Sequence, residues 1–417
     1  MELQMLTCKR STCDHHQDNE PWSKTRKCLP DRVVTQRVNF SDPNTPQDYS
    51  AKDLDEIGEF TQLISVWSDT RSIGRRVLLH HLSKETIEDI LLNDSVNKKF
   101  LEFHRDITEE CGAEDKQHSW AVIEKKEEVV MYGPYYPNYN KGKHSEDIII
   151  RQTEELLESN VTCEDWTVYV FTMNSPCLSR NAEPPCMLKL VQKAKEWWLR
   201  FGVNTNIGYN KCWGFKGTKE TIFRGVNYSQ VEAVHKSENY EEYISQKLTG
   251  VNILCKNVYT LLRNLLKCGP FIFDLSLQGL EWKSYFKGML TIPENAQENE
   301  KEFLKRETSR MTEEVKSLST ETCMSAGEHS KRGQAFALDY KFDLQITTGT
   351  KEKMRLVFQK CWKEMVQDKY AEILRDILTE DFNKCTNQLF IKDFVQVTSS
   401  FLHIGRIDCT DEKQQVT

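Results

Sequence analysis

Residues 166–177 read Trp-Thr-Val-Tyr-Val-Phe-Thr-Met-Asn-Ser-Pro-Cys, an almost uninterrupted apolar and β-prone run that ends at a proline and a cysteine. Such a run is typical of a central strand covered on both faces. After a Pro-rich connection, Cys186 opens a helix pattern whose apolar stripe extends to Phe201. Gly202 stands where a C-terminal glycine cap belongs. The stretch therefore predicts a strand, a connection and a helix, with Cys177 and Cys186 bracketing the start of that helix.

Short β-rich runs and helix patterns flank this stretch on both sides. The runs at 119–124 and 128–132 stand on either side of a charged turn and predict a hairpin. A helix is predicted from His144 to Ser159 with acidic residues in its first turn, where the helix dipole favours them. A further strand is predicted from Val203 to Tyr209. Strands and helices in this order predict an α/β layer around one sheet.

The triplet His144-Ser145-Glu146 opens the helix that precedes the central strand. Positions i and i+2 lie on nearly opposite sides of a helix, so His144 and Glu146 cannot share an ion bound to the helix flank. They converge only at the N-terminal end of the helix. Cys177 and Cys186 also lie near a helix start. Both helix dipoles would then direct their positive ends at one site and favour thiolates and a hydroxide there.

These four residues form a candidate catalytic metal site. One imidazole and two thiolates leave the fourth position of a tetrahedral zinc site open, which is typical of a catalytic zinc and not of a structural one. That position holds water, which the metal acidifies toward neutral pH. We therefore expect His144, Cys177 and Cys186 as zinc ligands, and Glu146 as the catalytic group that takes the proton of the water and passes it on.

A second chemistry uses part of the same set. Cys177 as a nucleophile and His144 as its base would make a thiol hydrolase. This alternative leaves Glu146 and Cys186 without a role, so the metal site is the favoured interpretation.

The pattern His-x-Glu, followed after a strand by Pro-Cys and a second Cys, resembles the zinc-dependent nucleobase deaminases. The Ser-Pro-Cys triplet at 175–177 and the order of the elements are most similar to the AID/APOBEC polynucleotide cytidine deaminases and their vertebrate relatives. The resemblance covers residues 118–225. It implies a three-layer αβα core with a mixed sheet, Zn²⁺ as the cofactor, and hydrolytic deamination of cytosine to uracil in single-stranded DNA or RNA.

The spacing of the two cysteines departs from the family pattern. The family usually separates them by about two to four residues, whereas Leu178 to Pro185 lie between Cys177 and Cys186 here. An inserted loop that contains Pro184-Pro185 can bring Cys186 to the same end of the sheet. Cys163 lies at the wrong end of its strand to substitute for it. Cys212 follows a strand and stays an alternative ligand.

Two loops are expected to contact the substrate. Residues 210–217 follow a strand and read Asn-Lys-Cys-Trp-Gly-Phe-Lys-Gly, and aromatic residues interleaved with Lys and Gly suit stacking on unpaired bases. The resemblance implies that this loop contacts the nucleotide next to the target base. The Tyr-rich loop before His144 would form the opposite wall. The predicted substrate contacts are Lys211, Trp213, Phe215 and Lys216 in the first loop, Tyr135 and Tyr136 in the second, and Ser175 beside Cys177.

Charge gives only weak support to a polyanionic substrate. The chain has a net charge of −7, and residues 118–225 hold 14 basic and 13 acidic side chains. No global positive field would attract nucleic acid. Two alternatives therefore stay open: a free cytidine or nucleotide as the substrate, and a non-catalytic zinc-stabilised module that binds nucleic acid or protein. In either case the flanking helical regions would offer surfaces for protein partners.

The sequence shows no membrane or secretory segment. No stretch approaches the apolar length of a membrane span, and the first residues contain no apolar h-region. Fourteen cysteines scattered through such a chain indicate a reducing compartment. We therefore expect a cytoplasmic or nuclear protein without membrane association.

The predicted domain organisation has the deaminase core between helical and α+β parts. The C-terminal module is expected to contain an alternating strand at 336–346, two helices and a Phe- and Val-rich β segment that reaches Ile407. The predicted segments are a disordered tail (1–50), a helical segment (51–117), the zinc deaminase core (118–225), a helical extension (226–291), a charged helix and linker (292–333), an α+β module (334–409) and a tail (410–417).

Overall fold

The computed structural model describes residues 51–83, 88–111, 116–125, 128–159, 165–180, 183–215, 222–246, 252–275, 281–319, 322–342 and 345–409. The predicted tails, 1–50 and 410–417, lie outside these residues. The chain forms two compact units. The first is the part of the chain up to Lys219 together with Glu380–Thr417, and the second is Glu220–Thr379.

Helices make up most of the described chain, and the strands are short. The elements in chain order are α1 (Ala51–Ser68), α2 (Thr70–Leu82), α3 (Asp94–Cys111), β1 (Ser119–Glu124), β2 (Val129–Tyr135), α4 (Ser145–Glu158), β3 (Thr167–Asn174), α5 (Cys186–Phe201), β4 (Asn204–Lys211), α6 (Tyr228–Lys236), α7 (Tyr240–Ser245), α8 (Lys256–Lys267), β5 (Ile272–Phe273), α9 (Lys287–Leu290), α10 (Glu298–Glu313), α11 (Val315–Leu318), β6 (Met324–Ser325), α12 (Ala326–Asp339), α13 (Thr348–Thr398) and β7 (Leu402–Arg406).

A five-stranded mixed sheet organises the first unit, in the order β2-β1-β3-β4-β7. β1 pairs antiparallel with both β2 and β3, whereas β3–β4 and β4–β7 are parallel. The run at 166–173 is thus the middle strand, as predicted. The two parallel pairs bring the carboxyl ends of β3 and β4 to one edge of the sheet, which is where ligand sites form in such sheets.

Helices cover both faces of this sheet. Apolar side chains at alternate positions of β1 and β3 pack in one cluster with three side chains of α3, namely Phe100, Phe103 and Ile107. On the other face, α4 packs against β1 and β2, and α5 packs against β4 and β7. The unit is therefore a three-layer αβα core with a mixed sheet, and the predicted fold class is confirmed.

The predicted elements of the core agree with the structure to within a few residues. The hairpin β1–β2 closes through Lys125, whose amide donates to the Glu128 carbonyl at 2.8 Å. The left-handed backbone of Gly202 (φ 69°) caps α5, which only glycine adopts readily. Three helices, α1 to α3, precede the sheet in the described part of the chain.

The prediction of an alternating strand from Phe336 to Ile346 is wrong. Residues up to Asp339 belong to α12. The ring of Phe336, in the last turn of this helix, lies 5.5 Å from the ring of Tyr340, the residue that caps it. A spacing of four residues fits a helix face as well as a strand face, so the alternation was ambiguous. α12 also occupies part of the predicted linker at 292–333.

The C-terminal segment differs from the predicted module in a second way. Instead of two helices, Thr348–Thr398 is one helix of 51 residues. It contains no proline, and its only glycine is Gly349 at the second position, so nothing in the sequence breaks it. The predicted Phe- and Val-rich β segment is a strand only near its end, as β7, because Phe390, Phe394, Val395 and Val397 lie in α13. β7 pairs with β4 in the core sheet.

The second unit has a hydrophobic core of its own. It contains α6 to α12, the small antiparallel pair β5–β6 and the part of α13 up to Thr379. Large aromatic side chains fill the core, among them Phe286, Phe358 and Trp362, which are fully buried. Among the described residues of the chain, no helix is both long enough and apolar enough to cross a membrane.

β7 joins the sheet through two glycines that lie side by side, Gly208 of β4 and Gly405 of β7. A Cβ atom on Gly405 would lie 2.7 Å from the amide nitrogen of Leu92 and 2.9 Å from the carbonyl carbon of Leu91. We predict that Gly405→Ala destabilises the core unit by about 1–3 kcal/mol, because backbone atoms cannot move aside as a side chain can. The midpoint of urea unfolding, followed by circular dichroism, measures this.

Gly349→Ala is the matched control, because a Cβ atom there meets nothing within 4 Å. In a helix this change is neutral or stabilising. Equal midpoints for the two variants would contradict the close approach of β7 to residues 91–92.

Candidate metal and catalytic site

His144 stands directly before α4 and acts as its N-cap residue. Its backbone amide donates to Oδ2 of Asp147 at 3.1 Å. This bond fixes the entry of the chain into the helix, since the carboxylate of the third helical residue reaches back to the cap. The side chain of His144 is therefore held at the N-terminal end of α4, as the i, i+2 spacing with Glu146 required.

Cys177 and Cys186 come together because the start of α5 is hydrogen-bonded to Cys177. The amide of Cys186 donates to Sγ of Cys177 at 3.4 Å, and the amide of Met187 donates to the Cys177 carbonyl at 3.1 Å. These amides are at the free N-terminal end of α5, where the helix itself offers no acceptor. The inserted residues 178–185 therefore leave Cys186 beside Cys177.

The donor atoms of His144, Cys177 and Cys186 lie within 4.8 Å of one another. His144 Nδ1 is 3.3 Å from Sγ of Cys186 and 3.7 Å from Sγ of Cys177. Metal–sulfur bonds of about 2.3 Å and metal–nitrogen bonds of about 2.0 Å at tetrahedral angles put neighbouring donors about 3.6 Å apart. The three side chains thus fit one tetrahedral ion and leave a fourth position for another ligand.

The alternative ligand Cys212 does not join this group. Cys212 is half-buried and belongs to no metal-ligating cluster of the described chain. Burial raises the pKa of its thiol to about 11 and disfavours the thiolate. Cys163 lies outside the described residues.

The protein environment stabilises the thiolate of Cys177. The Cys186 side chain and His144 donate hydrogen bonds to it, and together with the amide of Cys186 they lower the pKa of Cys177 to about 5. The same contacts act in the opposite direction on the donors: the hydrogen bond with Cys177 raises the pKa of both Cys186 and His144. One negative charge is therefore already favoured at this point of the chain.

Glu146 is buried, with 3% of its surface exposed, and lies one helix position beyond Ser145. Burial is the main cause that raises the pKa of its carboxyl group to about 7, and the negative charge on Cys177 adds to it. The hydroxyl of Ser145 donates to Oε2 of Glu146 at 3.2 Å, and this hydroxyl in turn lies 2.7 Å from that of Ser119. Such a carboxyl can both accept and release a proton near neutral pH.

An open pocket lies over these groups. His144, Cys177 and Glu146 all contribute to its wall, so the candidate ligands and the candidate acid–base face the same space. The lining residues are Gln117, Pro137, Tyr139, His144, Glu146, Asn174, Ser175, Cys177 and Trp213.

Hydrogen bonds tie the loop after β4 to the chain around Cys177. Oγ of Ser175 accepts the amide of Trp213 at 2.9 Å, and the amide of Ser175 donates to the Lys211 carbonyl at 2.6 Å. The Leu178 amide donates to the Gly214 carbonyl at 3.1 Å. Ser175 and Trp213, both predicted as substrate contacts, therefore line the pocket, and Ser175 also holds Trp213 in position.

The structure corrects the expectation for Phe215, which was predicted to stack on a base. Phe215 is buried and packs against Trp67 and Phe382, with ring centroids 6.4 and 6.2 Å away. Its side chain belongs to the core because the loop turns inward at Gly214, where the backbone is left-handed (φ 60°) and passes close to Asn383. No sequence signal separated Trp213 from Phe215.

Of the remaining predicted contacts, Tyr135, Tyr136 and Lys211 are not part of the pocket wall. Tyr135 is buried in β2, and burial raises the pKa of its hydroxyl to about 12. Tyr136 is 41% exposed and its ring lies 5.9 Å from that of His118. Lys211 is exposed at the end of β4, whereas Lys216 lies outside the described residues.

Sequence reasoning missed two amides of the pocket wall, Gln117 and Asn174. Oε1 of Gln117 accepts the backbone amide of Asn174 at 3.1 Å, which joins the start of β1 to the end of β3. Asn174 could have been found, because it directly precedes the Ser-Pro-Cys triplet. Gln117 lies in a polar stretch with no pattern of its own, and only the pairing of β1 with β3 brings it to the site.

Comparison with known proteins gives one match. A family model described as Secreted Novel AID/APOBEC-like Deaminase 3 matches residues 24–404. No curated protein and no solved structure matches the chain with significance. The match includes the site, both units and the connection between them, far more than the segment 118–225 on which the resemblance was based.

The family description also overturns one prediction. It names the family as secreted, which contradicts the expected cytoplasmic or nuclear location. That expectation depended on two observations: the first residues contain no apolar h-region, and the chain contains many cysteines. Neither observation determines where a protein is located. The family model matches most of the chain, and the order of the elements and the His-x-Glu and Ser-Pro-Cys motifs at one sheet edge agree with this match. The chain belongs to the Secreted Novel AID/APOBEC-like Deaminase 3 family.

Proposed function

We propose that the protein is a zinc-dependent deaminase that hydrolyses cytosine to uracil in single-stranded DNA or RNA. The observation that carries this proposal is the convergence of His144, Cys177 and Cys186 within 4.8 Å, beside a buried Glu146 that faces the same pocket. A structural zinc site would need a fourth protein ligand, and the described residues supply three. The geometry therefore favours a catalytic site over a zinc-stabilised binding module.

His144, Cys177 and Cys186 would hold the zinc ion, because imidazole and thiolates are the donors that zinc prefers. Zinc bound there supplies Lewis-acid chemistry that brings the pKa of a coordinated water near neutrality. Hydrogen bonds already lower the pKa of Cys177 and favour its thiolate. The same bonds raise the pKa of Cys186 and of His144, so these two ligands would lose their protons only when the ion binds.

Glu146 would move the protons of the reaction. Its carboxylate takes a proton from the attacking water and delivers it to N3 of the cytosine ring as the oxygen adds to C4. It then transfers the second proton of that oxygen to the exocyclic amine. The C4–N bond breaks, ammonia leaves, and the C4 carbonyl of uracil remains. Burial in the pocket wall keeps bulk water from competing for these protons.

Two aromatic side chains at the pocket support a base as the substrate. Tyr139 is 66% exposed and its ring lies 6.1 Å from that of His144. Trp213 is half-buried and is anchored by Ser175. Aromatic faces of this kind stack on unpaired bases regardless of sequence. A base within a duplex would first have to leave its stack, so a single strand is the favoured form of the substrate.

We predict one zinc ion per chain, held by the two cysteines of the site. Elemental analysis of the Cys177→Ser, Cys186→Ser double variant should find the zinc lost. The double variant Cys255→Ser, Cys268→Ser is the control, because both of these thiols are exposed and lie outside the site. Zinc that persists without Cys177 and Cys186 would mean that the ion is bound elsewhere.

Glu146→Gln keeps the size and polarity of the side chain and removes the base. We predict that C-to-U conversion in a single-stranded oligonucleotide falls by about 10²–10⁴-fold while zinc content is unchanged. Glu158→Gln, on the same helix at an exposed position, should retain full conversion. Near-normal conversion by Glu146→Gln would show that Glu146 does not carry the protons.

Trp213→Ala should weaken binding to a single strand by about 1–3 kcal/mol, the usual value of one base stack, and should change which neighbouring base is preferred. Trp198→Ala is the control, since Trp198 lies on α5 outside the pocket wall and is 38% exposed. Fluorescence anisotropy with labelled strands measures the affinity. Unchanged affinity and context, with conversion of free cytidine intact, would instead favour a free nucleoside as the substrate.

A further inference from the structure

The loop between the two cysteines contains a buried cation, Arg180. Only 8% of its side chain is exposed, an unusual value for an arginine in a loop. Its guanidinium makes two hydrogen bonds to Asp147, from Nη1 to Oδ1 at 3.0 Å and from Nη2 to Oδ2 at 2.8 Å. This is the paired, two-point contact that arginine makes with a carboxylate.

The same guanidinium also reaches the candidate metal ligands. Nη1 lies 3.9 Å from Sγ of Cys186, within the longer range of hydrogen bonds to sulfur, and Nη2 donates to the carbonyl of Gly142. Asp147, which receives the paired bonds, accepts the backbone amide of His144. Arg180 therefore connects, through one planar group, the residue that caps α4 and the cysteine that opens α5.

We infer that Arg180 is a positioning residue of the metal site. This inference rests on the proposed zinc site. Through Asp147 it fixes the backbone of His144, and through Sγ it holds Cys186 and balances part of the negative charge of a thiolate. Removing a group that hydrogen-bonds to metal ligands without contacting the metal commonly lowers metal affinity.

The geometry requires arginine and not any cation. A guanidinium offers five donors in a rigid plane, so it can bind Asp147 with two atoms and still contact Cys186 and Gly142. The ammonium group of a lysine has its donors on one nitrogen atom, so it cannot contact Asp147, Cys186 and Gly142 at the same time. Lys189 illustrates the difference, since its Nζ contacts Asp147 at 3.0 Å and Glu183 at 2.6 Å but makes no contact with the sulfur in the described contacts.

The competing explanation is that Arg180 only anchors the inserted loop. Glu183 separates the two explanations, because it belongs to the same ionic group without touching a candidate ligand. Its carboxylate lies 3.3 Å from Nη1 of Arg180 and is 53% exposed. Glu183→Gln therefore perturbs the loop and its charge, whereas Arg180→Met removes the link to Asp147 and Cys186 and keeps most of the apolar stem.

The test measures metal binding directly in the full-length protein. Zinc is titrated against a competing chelator in wild type, Arg180→Met, Arg180→Lys and Glu183→Gln, and the thiolate-to-metal absorption band is recorded after substitution with Co²⁺. We expect Arg180→Met to weaken zinc binding by about 10–100-fold and to alter the cobalt band. Arg180→Lys should be intermediate, and Glu183→Gln should match the wild type in both readouts.

The outcomes separate the inference from the proposed function. If wild type binds zinc and Arg180→Met matches Glu183→Gln in affinity and cobalt spectrum, the inference is overturned and the metal site stands. If wild type binds neither zinc nor cobalt, both fall. If circular dichroism shows that Arg180→Met does not fold, Arg180→Lys is the deciding variant. A zinc affinity and a cobalt spectrum equal to those of the wild type would then overturn the inference. A loss of affinity with a changed spectrum would support it.

Discussion

The amide of Cys186 donates to Sγ of Cys177, and the amide of Met187 donates to the Cys177 carbonyl. These two bonds use donors that a helix start leaves unpaired, and they bring the end of β3 and the beginning of α5 to one point. The convergence of the metal donors depends on them, and the amide of Cys186 is one of the groups that lower the pKa of Cys177. Because the bonds fix both ends of the connection, Cys186 lies beside Cys177 although eight residues separate the two cysteines.

The sheet extends this constraint to parts of the chain that are distant in sequence. β7 pairs with β4 in parallel, and the end of α13 passes the loop at Gly214, which carries Trp213 to the pocket. The core unit thus needs residues from both ends of the chain, with the second unit inserted between Lys219 and Glu380. This agrees with a family match that runs from residue 24 to residue 404.

Much of the core could be predicted from sequence because its signals are local. The apolar run before Ser175, the helix cap at Gly202 and the His-x-Glu spacing each follow from the geometry of one element. The contributions of Gln117, β7 and Arg180 depend on pairings between distant segments, which periodicity does not encode. The mistaken strand at 336–346 has a different cause, since residues four apart share a face in both kinds of element. Trp213 lines the pocket and Phe215 is buried in the core, because the loop between them turns at the left-handed backbone of Gly214.

X-ray absorption at the zinc edge of the purified protein identifies the ligand atoms of the metal. We expect two sulfur ligands at about 2.3 Å and two lighter nitrogen or oxygen ligands at about 2.0–2.1 Å, one from His144 and one that is not a protein atom. That result would be the signature of an open site built from Cys177, Cys186 and His144. Three or four sulfur ligands, or none, would contradict it, because the described residues bring two thiolates and one imidazole together at this point.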